Sequence, residues 1–351
     1  MVFVLIIQWY NKRMIIHLFN KAKILWILFG IDLVLVGFKI LNEVLSLGFS
    51  NEIISFFVLL VPIMLLILHS FWTLGAVRAS VFILIAMVVG LLFEIWGLTS
   101  GVVFGGRYIY EQSSLMLFDV PYIVPIYWAV FVYTSYCISN SFLFWMNKNK
   151  PTKQYNNFLL IPLLMFFDGI FTVIIDLIMD PLQVKAGAWT WLDGGPYFGI
   201  PIGNFIGWFI VTIIITGIYR LLEYYYPKVM YINKSVFLIP VLGYFGLSMS
   251  FMIIALNYNF RTLGFLSLIL MLPVIIINIV LIYTILCSCM DRFWFLNKKT
   301  CSACKINLEK GKNYPQIENK KFCSENCKEE YAKGLNNKEA SPHSGGSCCK
   351  N

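Results

Sequence analysis

Histidine is almost missing from this chain. His17, His69 and His343 are the only three in 351 residues. Membrane desaturases and hydroxylases of the di-iron type need many clustered imidazole ligands, so that class is excluded. His69 falls at a helix end and reads as structural. Charge is scarce as well: Asp, Glu, Lys and Arg make up 13%, against roughly 25% in soluble proteins. Combined with repeated apolar runs of 18 or more residues, this deficit indicates a polytopic membrane protein. No cleavable signal peptide is expected, because MVFVLIIQWY lacks a preceding basic region and a small-residue cleavage site. No internal repeat is evident.

What is present is a series of apolar segments. The expected fold class is an all-α polytopic integral membrane protein. Eight spans are expected at about 24–44, 52–71, 77–98, 120–146, 157–180, 200–222, 235–257 and 263–289, since about 20 residues cross the hydrocarbon core. Residues 1–23 form a basic N-terminal segment, 24–290 the transmembrane domain, 300–333 a cysteine-rich module, and 334–351 a tail of disordered composition.

The net charge of +9 would suggest a nucleic-acid partner in a soluble domain. Here the basic residues sit at segment ends, which is the positive-inside pattern, and no nucleic acid is expected. Lys12, Arg13, Lys21 and Lys23, then Lys148, Lys150 and Lys153, then Arg220, Lys228 and Lys234, then Arg292, Lys298 and Lys299 share one side of an eight-span chain. The other side has Arg107, Lys185 and Arg261, offset by Glu111, Asp119 and Asp193. The expected localisation is the cell membrane, with both termini cytoplasmic.

Within this apolar background, residues 168–208 carry unusual polarity. Asp168, Asp176 and Asp180 lie in or at the end of an apolar helix, and a loop with Trp189, Trp191 and Asp193 follows. The next span opens with Pro201, Asn204 and Trp208. Ionisable groups in membrane-length segments are costly, which marks them as functional candidates. The two longest connections, 99–119 and 181–199, fall on the same outer side. The first follows Glu94 and reads GLTSGVVFGGRYIYEQ. Gly101, Gly105 and Gly106 suit a tightly folded loop, and bulky Phe104, Tyr108 and Tyr110 argue against a loose connector. Pro121, Pro125 and Trp128 open the fourth span beside it.

Residues eight and twelve apart on a helix differ in direction by about 80° and 120°, so the three aspartates share one broad face. Asp176 and Asp180 are neighbours one turn apart. Glu94 reaches the same level from the third span. Such a cluster cannot hold every charge in a low-dielectric site, so at least one carboxyl is expected to carry a proton. A protonated carboxyl beside an ionised one is an acid/base pair. With aromatic faces to hold a cation, it could protonate an isolated C=C and guide water to the carbocation. Prenyl transfer with a metal is a second option, but only one D-x-x-x-D motif, at 176–180, is present. A metal-responsive transporter or sensor is a third, and an isoprenoid cyclase or isomerase using the same carbocation is a fourth.

The ordered set FEIWGLTSGVVFGGRYIY (93–110), DLIMDP (176–181), WTW (189–191) and YFGIPIGNFIGW (197–208) resembles the carotenoid biosynthesis membrane proteins. These include archaeal bisanhydrobacterioruberin hydratases and bacterial carotenoid 1,2-hydratases. The resemblance covers roughly residues 75–225. It implies a membrane lipid substrate, a C40 or C50 carotenoid whose terminal double bond gains water, and catalysis by a cofactor-independent hydro-lyase. Carried to matching positions, it makes Glu94, Asp176 and Asp180 the acid/base candidates. Asn204 becomes a positioning group, and Tyr108, Trp189, Trp191 and Trp208 become pocket walls. Asp168 is a lower-ranked substrate-binding candidate.

The cysteine module lies outside that pattern. Cys301-x2-Cys304, eighteen residues, then Cys323-x3-Cys327 is a four-thiolate set of zinc-like spacing. KFCSENCKEEY resembles the small treble-clef fingers of the TRASH and MYM type. A bound Zn would fold a segment with so little core, and the finger would serve a metal or protein partner. A disulfide framework is disfavoured in a reducing cytoplasm. Cys137, Cys287 and Cys289 read as small buried apolar residues, and Cys348, Cys349 and His343 as an incidental tail.

Overall fold

The computed structural model describes residues 2–47, 49, 51–111, 115–146, 158–226, 234–297, 315–317, 320–322 and 324–329. The chain divides into two units, residues 1–285 and 286–351. Among the described residues there are eight long helices: α1 (Val2–Val44), α2 (Asn51–Thr73), α3 (Ala76–Ser100), α4 (Ile123–Met146), α5 (Leu160–Ala186), α6 (Ile202–Tyr225), α7 (Leu238–Asn257) and α8 (Arg261–Asn297). Among the described residues, seven are long and apolar enough to cross a membrane, which makes the chain a membrane protein.

Seven of the eight expected spans are therefore apolar by this measure. The helix outside the seven is α4, which carries Ser135, Ser139, Asn140 and Ser141, all buried. It packs against α2, α3, α5, α6 and α7. A helix enclosed by other helices does not have to be apolar to exclude lipid, and its polar groups bond to neighbours instead. Cys137 is buried on the same helix. Two boundaries also differ from expectation. α1 runs unbroken from Val2, so the basic segment before residue 23 continues the first apolar helix. α5 continues past Asp180 to Ala186, where Gly187 closes it in the left-handed region at φ 81°, the usual glycine stop.

The proline at 181 explains a tertiary bond. Proline within a helix removes one N–H and leaves the carbonyl four residues earlier without its partner. Here that carbonyl is Leu177 O, and it accepts a hydrogen bond from the Tyr197 hydroxyl at 2.9 Å. The loop that follows α5 is thereby tied back onto α5.

The two long connections, expected as loops, pair with each other. β1 (Tyr108–Tyr110) runs antiparallel to β4 (Trp189–Trp191), with Tyr108 opposite Trp191 and Tyr110 opposite Trp189. Side chains alternate between the two faces of a strand. Ile109 accordingly points out and is exposed, while Tyr108 and Trp191 are buried. A short hairpin, β2 (Met116–Leu117) and β3 (Val120–Pro121), leads into α4. Its turn residues Phe118 and Asp119 both have positive φ, the conformation a two-residue hairpin requires.

The first connection also locks against α6. A methyl group on Gly105 would lie 2.6 Å from the Gly203 Cα, and one on Gly203 would lie 2.5 Å from the Gly105 Cα. Two backbones touch there, and only glycine permits it.

The second unit contains β5 (Gln316–Ile317) paired with β6 (Lys320–Lys321), followed by one helical turn at 325–329. Phe322 and Cys327 are buried. Cys301, Cys304, Cys323, Cys348, Cys349 and His343, and the side chains of Cys287 and Cys289, lie outside the described residues.

Candidate functional site

Asp176 and Asp180 stand one turn apart on α5, where α5 packs against the first turns of α6. Asn204 faces them. Its Nδ2 donates one hydrogen bond to Asp176 Oδ2 at 2.7 Å and another to Asp180 Oδ2 at 2.8 Å. One amide nitrogen, with its two hydrogens, bridges two carboxyls. Trp189 Nε1 donates to Asp180 Oδ1 at 2.5 Å. Asp176 Oδ1 is buried with no hydrogen-bond partner among the described residues.

Glu94 arrives from α3 and is saturated differently. Its Oε2 accepts from the Tyr108 hydroxyl at 2.6 Å and the Tyr110 hydroxyl at 2.8 Å, and its Oε1 accepts from Trp128 Nε1 at 2.9 Å. Three donors on one carboxyl favour its ionised form, which accepts only. Burial and the neighbouring Glu94 hold both tyrosine hydroxyls far above the usual phenol range, so both remain donors. Trp128 fits because α3 offers Gly90 there: a methyl group on Gly90 would lie 2.6 Å from the indole.

Aromatic rings close the site. Trp128 stacks on Trp208 with centroids 4.0 Å apart and planes 23° apart. Tyr108 packs on Trp191 at 4.8 Å and on Tyr110 at 5.6 Å. Tyr110 meets Trp189 edge-on. Above them, on the exposed side of the β1–β4 ribbon, Arg107 clasps Asp193. Arg107 Nη2 and Nε and its backbone N–H all donate to the carboxylate, at 2.8, 3.2 and 3.0 Å. This pairing draws Asp193 down to about 2. Tyr197, tied to Leu177, is pushed up to about 12, chiefly by burial.

The three carboxyls, Asn204 and the aromatic rings around them line one end of a cavity of about 820 Å³ that continues between α1, α2, α4 and α7. Its wall on α7 runs from Ile239 to Ile254. At 1.5 Å per residue that is a length of about 22 Å. His69 also lines it, held by the Tyr133 hydroxyl at 2.8 Å and Val236 O at 3.1 Å. A carbonyl only accepts, so Nε2 carries the proton and Nδ1 accepts from Tyr133. The structural expectation for His69 fits this arrangement.

The structure thus gathers Glu94, Tyr108, Asp176, Asp180, Trp189, Trp191, Asn204 and Trp208 on one cavity. It separates Asp168. Asp168 lies about 12 Å further along α5 than Asp176 and is absent from the cavity wall. Its carboxyl is fully buried and paired with Arg220, Nε to Oδ2 at 2.7 Å and Nη2 to Oδ1 at 2.8 Å. Arg220, expected among the loop charges, is fully buried too. It also bonds Asn140 Oδ1 and Ser139 Oγ and lies over the Tyr136 ring. The α5–α6 seam therefore holds two polar clusters, and only one opens to the cavity. Sequence reasoning placed Trp128 near the site but missed it and Tyr110 as direct partners of Glu94. The one trace of Tyr110 in the sequence was the alternation of Tyr-Ile-Tyr against Trp-Thr-Trp, a weak signal over three residues. No group of His, Cys, Asp and Glu able to hold a metal occurs among the described residues.

No curated protein and no solved structure matches this chain. The family described as carotenoid biosynthesis protein matches residues 54–276, which include every cavity-lining residue named above for the carboxyl cluster. The match spans well over half the sequence, and the chain belongs to the carotenoid biosynthesis protein family.

Proposed function

We propose that this protein is a carotenoid hydratase that adds water to the terminal C=C of a C40 or C50 polyene. The observation that carries this reading is the asymmetry of the three carboxyls at the end of an apolar cavity. Glu94 accepts three hydrogen bonds, Asp180 accepts two, and Asp176 keeps one buried oxygen free. Three buried negative charges without a cation among them would be costly, and Asp176 Oδ1 is the position with room for a proton.

In this reading, Asp176 Oδ1–H gives its proton to the less substituted carbon of the double bond. The C=C electron pair forms the new C–H bond, and a tertiary carbocation remains. Ionised Glu94 and the faces of Trp128, Trp208 and Tyr108 stabilise that cation. Water attacks the cationic carbon and passes its second proton to Asp180, giving a tertiary alcohol. The proton on Asp180 then returns to Asp176, beside it on the same Asn204 amide. One water is consumed and both carboxyls are restored. No cofactor enters these steps.

The protein is taken to lie in the cell membrane with both termini in the cytoplasm, α4 completing eight crossings. The carboxyls then lie towards the outer face. Their collection at one end of the cavity, instead of at mid-membrane on several helices, favours a lipid-reacting site over a transporter. Residues 300–333 are read as a zinc-binding finger of Cys301, Cys304, Cys323 and Cys327. In support, Cys327 is buried at a helical turn following a two-stranded hairpin.

Expression in a lycopene-making host tests the reading. The pigment should gain ~18 mass units per hydrated end, and Asp176→Asn should abolish the gain, because an amide cannot supply the proton. Unchanged pigment with inserted, folded wild-type protein would overturn it.

A further inference from the structure

Hydration needs a water held in one orientation at the carboxyl end of an otherwise apolar cavity. Gln183 stands there without a task in the steps above. α5 runs on past Asp180 to Ala186, which places Gln183 seven residues after Asp176 and three after Asp180. Seven residues make nearly two full turns, so Gln183 and Asp176 point within about 20° of each other, and Gln183 lies about 4.5 Å further along the axis than Asp180. Gln183 lines the cavity and is half-buried, whereas Lys185, Ala186 and Gly187, just beyond it, are exposed. It therefore sits between the aqueous end of α5 and the carboxyl cluster. Its side-chain amide has no hydrogen-bond partner among the described residues, yet its polar atoms are not sealed from solvent.

Other polar groups on the wall are committed or have the wrong polarity. Thr134, Tyr244 and Ser250 donate to the carbonyls of Val130, Phe171 and Gly246, and His69 and Tyr133 hold each other. Lys39 and Trp208 also line the cavity, but an ammonium and an indole N–H only donate. A donor would occupy the lone pair with which water must attack. An amide oxygen accepts instead. We propose that Gln183 Oε1 accepts one hydrogen of the attacking water while Asp180 accepts the other, so that the oxygen lone pair faces the carbocation and Gln183 sets how much of that cation becomes alcohol. This deepens the hydratase reading given above and rests on it. With the water so held, its lone pair forms the C–O bond. The electron pair of the O–H bond aimed at Asp180 stays on oxygen as the proton passes to the carboxylate. Without that hold, a competing step consumes the cation. A neighbouring C–H proton passes to Asp180, its electron pair re-forms a C=C, and an isomerised polyene leaves with no atom gained.

The test is the ratio of two products. Trp128, Trp189, Trp191 and Trp208 line the cavity, so a polyene bound there quenches tryptophan fluorescence, and titration with lycopene verifies that each variant is folded and loaded. The full-length wild type, Gln183→Leu and Gln183→Glu in lipid nanodiscs then turn over lycopene, and alcohol and isomerised polyene are separated and identified by mass. Gln183→Met, apolar and unbranched, replaces Gln183→Leu if the latter does not fold. The apolar variant should lower the ratio of alcohol to isomer on the order of tenfold, the scale of one hydrogen bond. The sum of both products should change by only a few fold, because Asp176 still forms the cation. Gln183→Glu keeps an acceptor oxygen and should recover most of the ratio. An unchanged ratio in the apolar variant, an equal fall of both products, or a Gln183→Glu ratio as low as that of the apolar variant would overturn the assignment and leave the hydratase reading intact. A wild type that binds lycopene and makes no alcohol would overturn the hydratase reading, and the assignment with it.

Discussion

Asn204 and Asp176 meet at 2.7 Å, and the same amide nitrogen reaches Asp180 at 2.8 Å. This single side chain fixes the spacing of both carboxyls and leaves Asp176 Oδ1 open. Asn204→Ala removes the bridge without removing either carboxyl. The turnover number should fall on the order of 10²-fold or more, the loss typical of a positioned polar group in a catalytic site. Polyene binding, read by tryptophan quenching, should change by only a few fold. A parallel loss of binding and turnover would point to a role in packing instead.

The Asp168–Arg220 pair is expected to hold the α5–α6 seam. Arg220→Met leaves Asp168 buried without its counter-ion and should cost about 3–5 kcal/mol. The double variant Arg220→Met/Asp168→Leu replaces the pair with apolar volume and should recover most of that loss. Thermal unfolding in lipid nanodiscs measures both. Equal destabilisation in the single and double variants would contradict the pairing argument.

Gly203→Ala should disturb the site from the side. Its methyl would lie 2.5 Å from the Gly105 backbone, and neither backbone has a flexible end to swing away. A loss of about 1–3 kcal/mol is expected from overpacking. Turnover should fall as well, because Asn204 is the next residue. Wild-type stability and turnover in Gly203→Ala would show that the contact is looser than described.

The Arg107–Asp193 clasp gives a pH dependence with a defined sign. Asp193 is held at about 2 in the folded protein, below its ordinary value of about 3.9. A carboxylate held low contributes stability above its unfolded pKa and loses it as pH falls through the folded value. The β1–β4 roof should therefore loosen between about pH 4 and pH 2, and the effect should be small because both side chains are solvated. Asp193→Asn should already be loosened at neutral pH and lack that transition. Fluorescence of Trp189 and Trp191 in this window provides the readout.

Much of this architecture was legible in the sequence, for physical reasons that differ by element. Apolar runs of membrane length mark α2, α3, α6 and α7 directly. α4 follows a different rule, since Ser135, Ser139 and Asn140 are tolerated only because helices surround it. Asp176, Asp180 and Glu94 were identifiable because charge in apolar segments is costly. Asp168 ranked below them in the sequence, but its partner was not legible, because Arg220 is 52 residues away and was counted with the loop charges. The β1–β4 ribbon was hidden because two three-residue strands carry little signal. Their pairing is decided by burial of Tyr108 and Trp191 at the expense of exposing Ile109.

The central claim is that water becomes the hydroxyl of a tertiary alcohol through Asp176. Purified protein in lipid nanodiscs, supplied with lycopene in ¹⁸O-labelled water, tests it most directly. The product should carry the heavy oxygen, with a gain of ~20 mass units per hydrated end where ordinary water gives ~18, and Asp176→Asn should yield none. An isomerised or cyclised product without added oxygen, or full label incorporation by Asp176→Asn, would contradict the account.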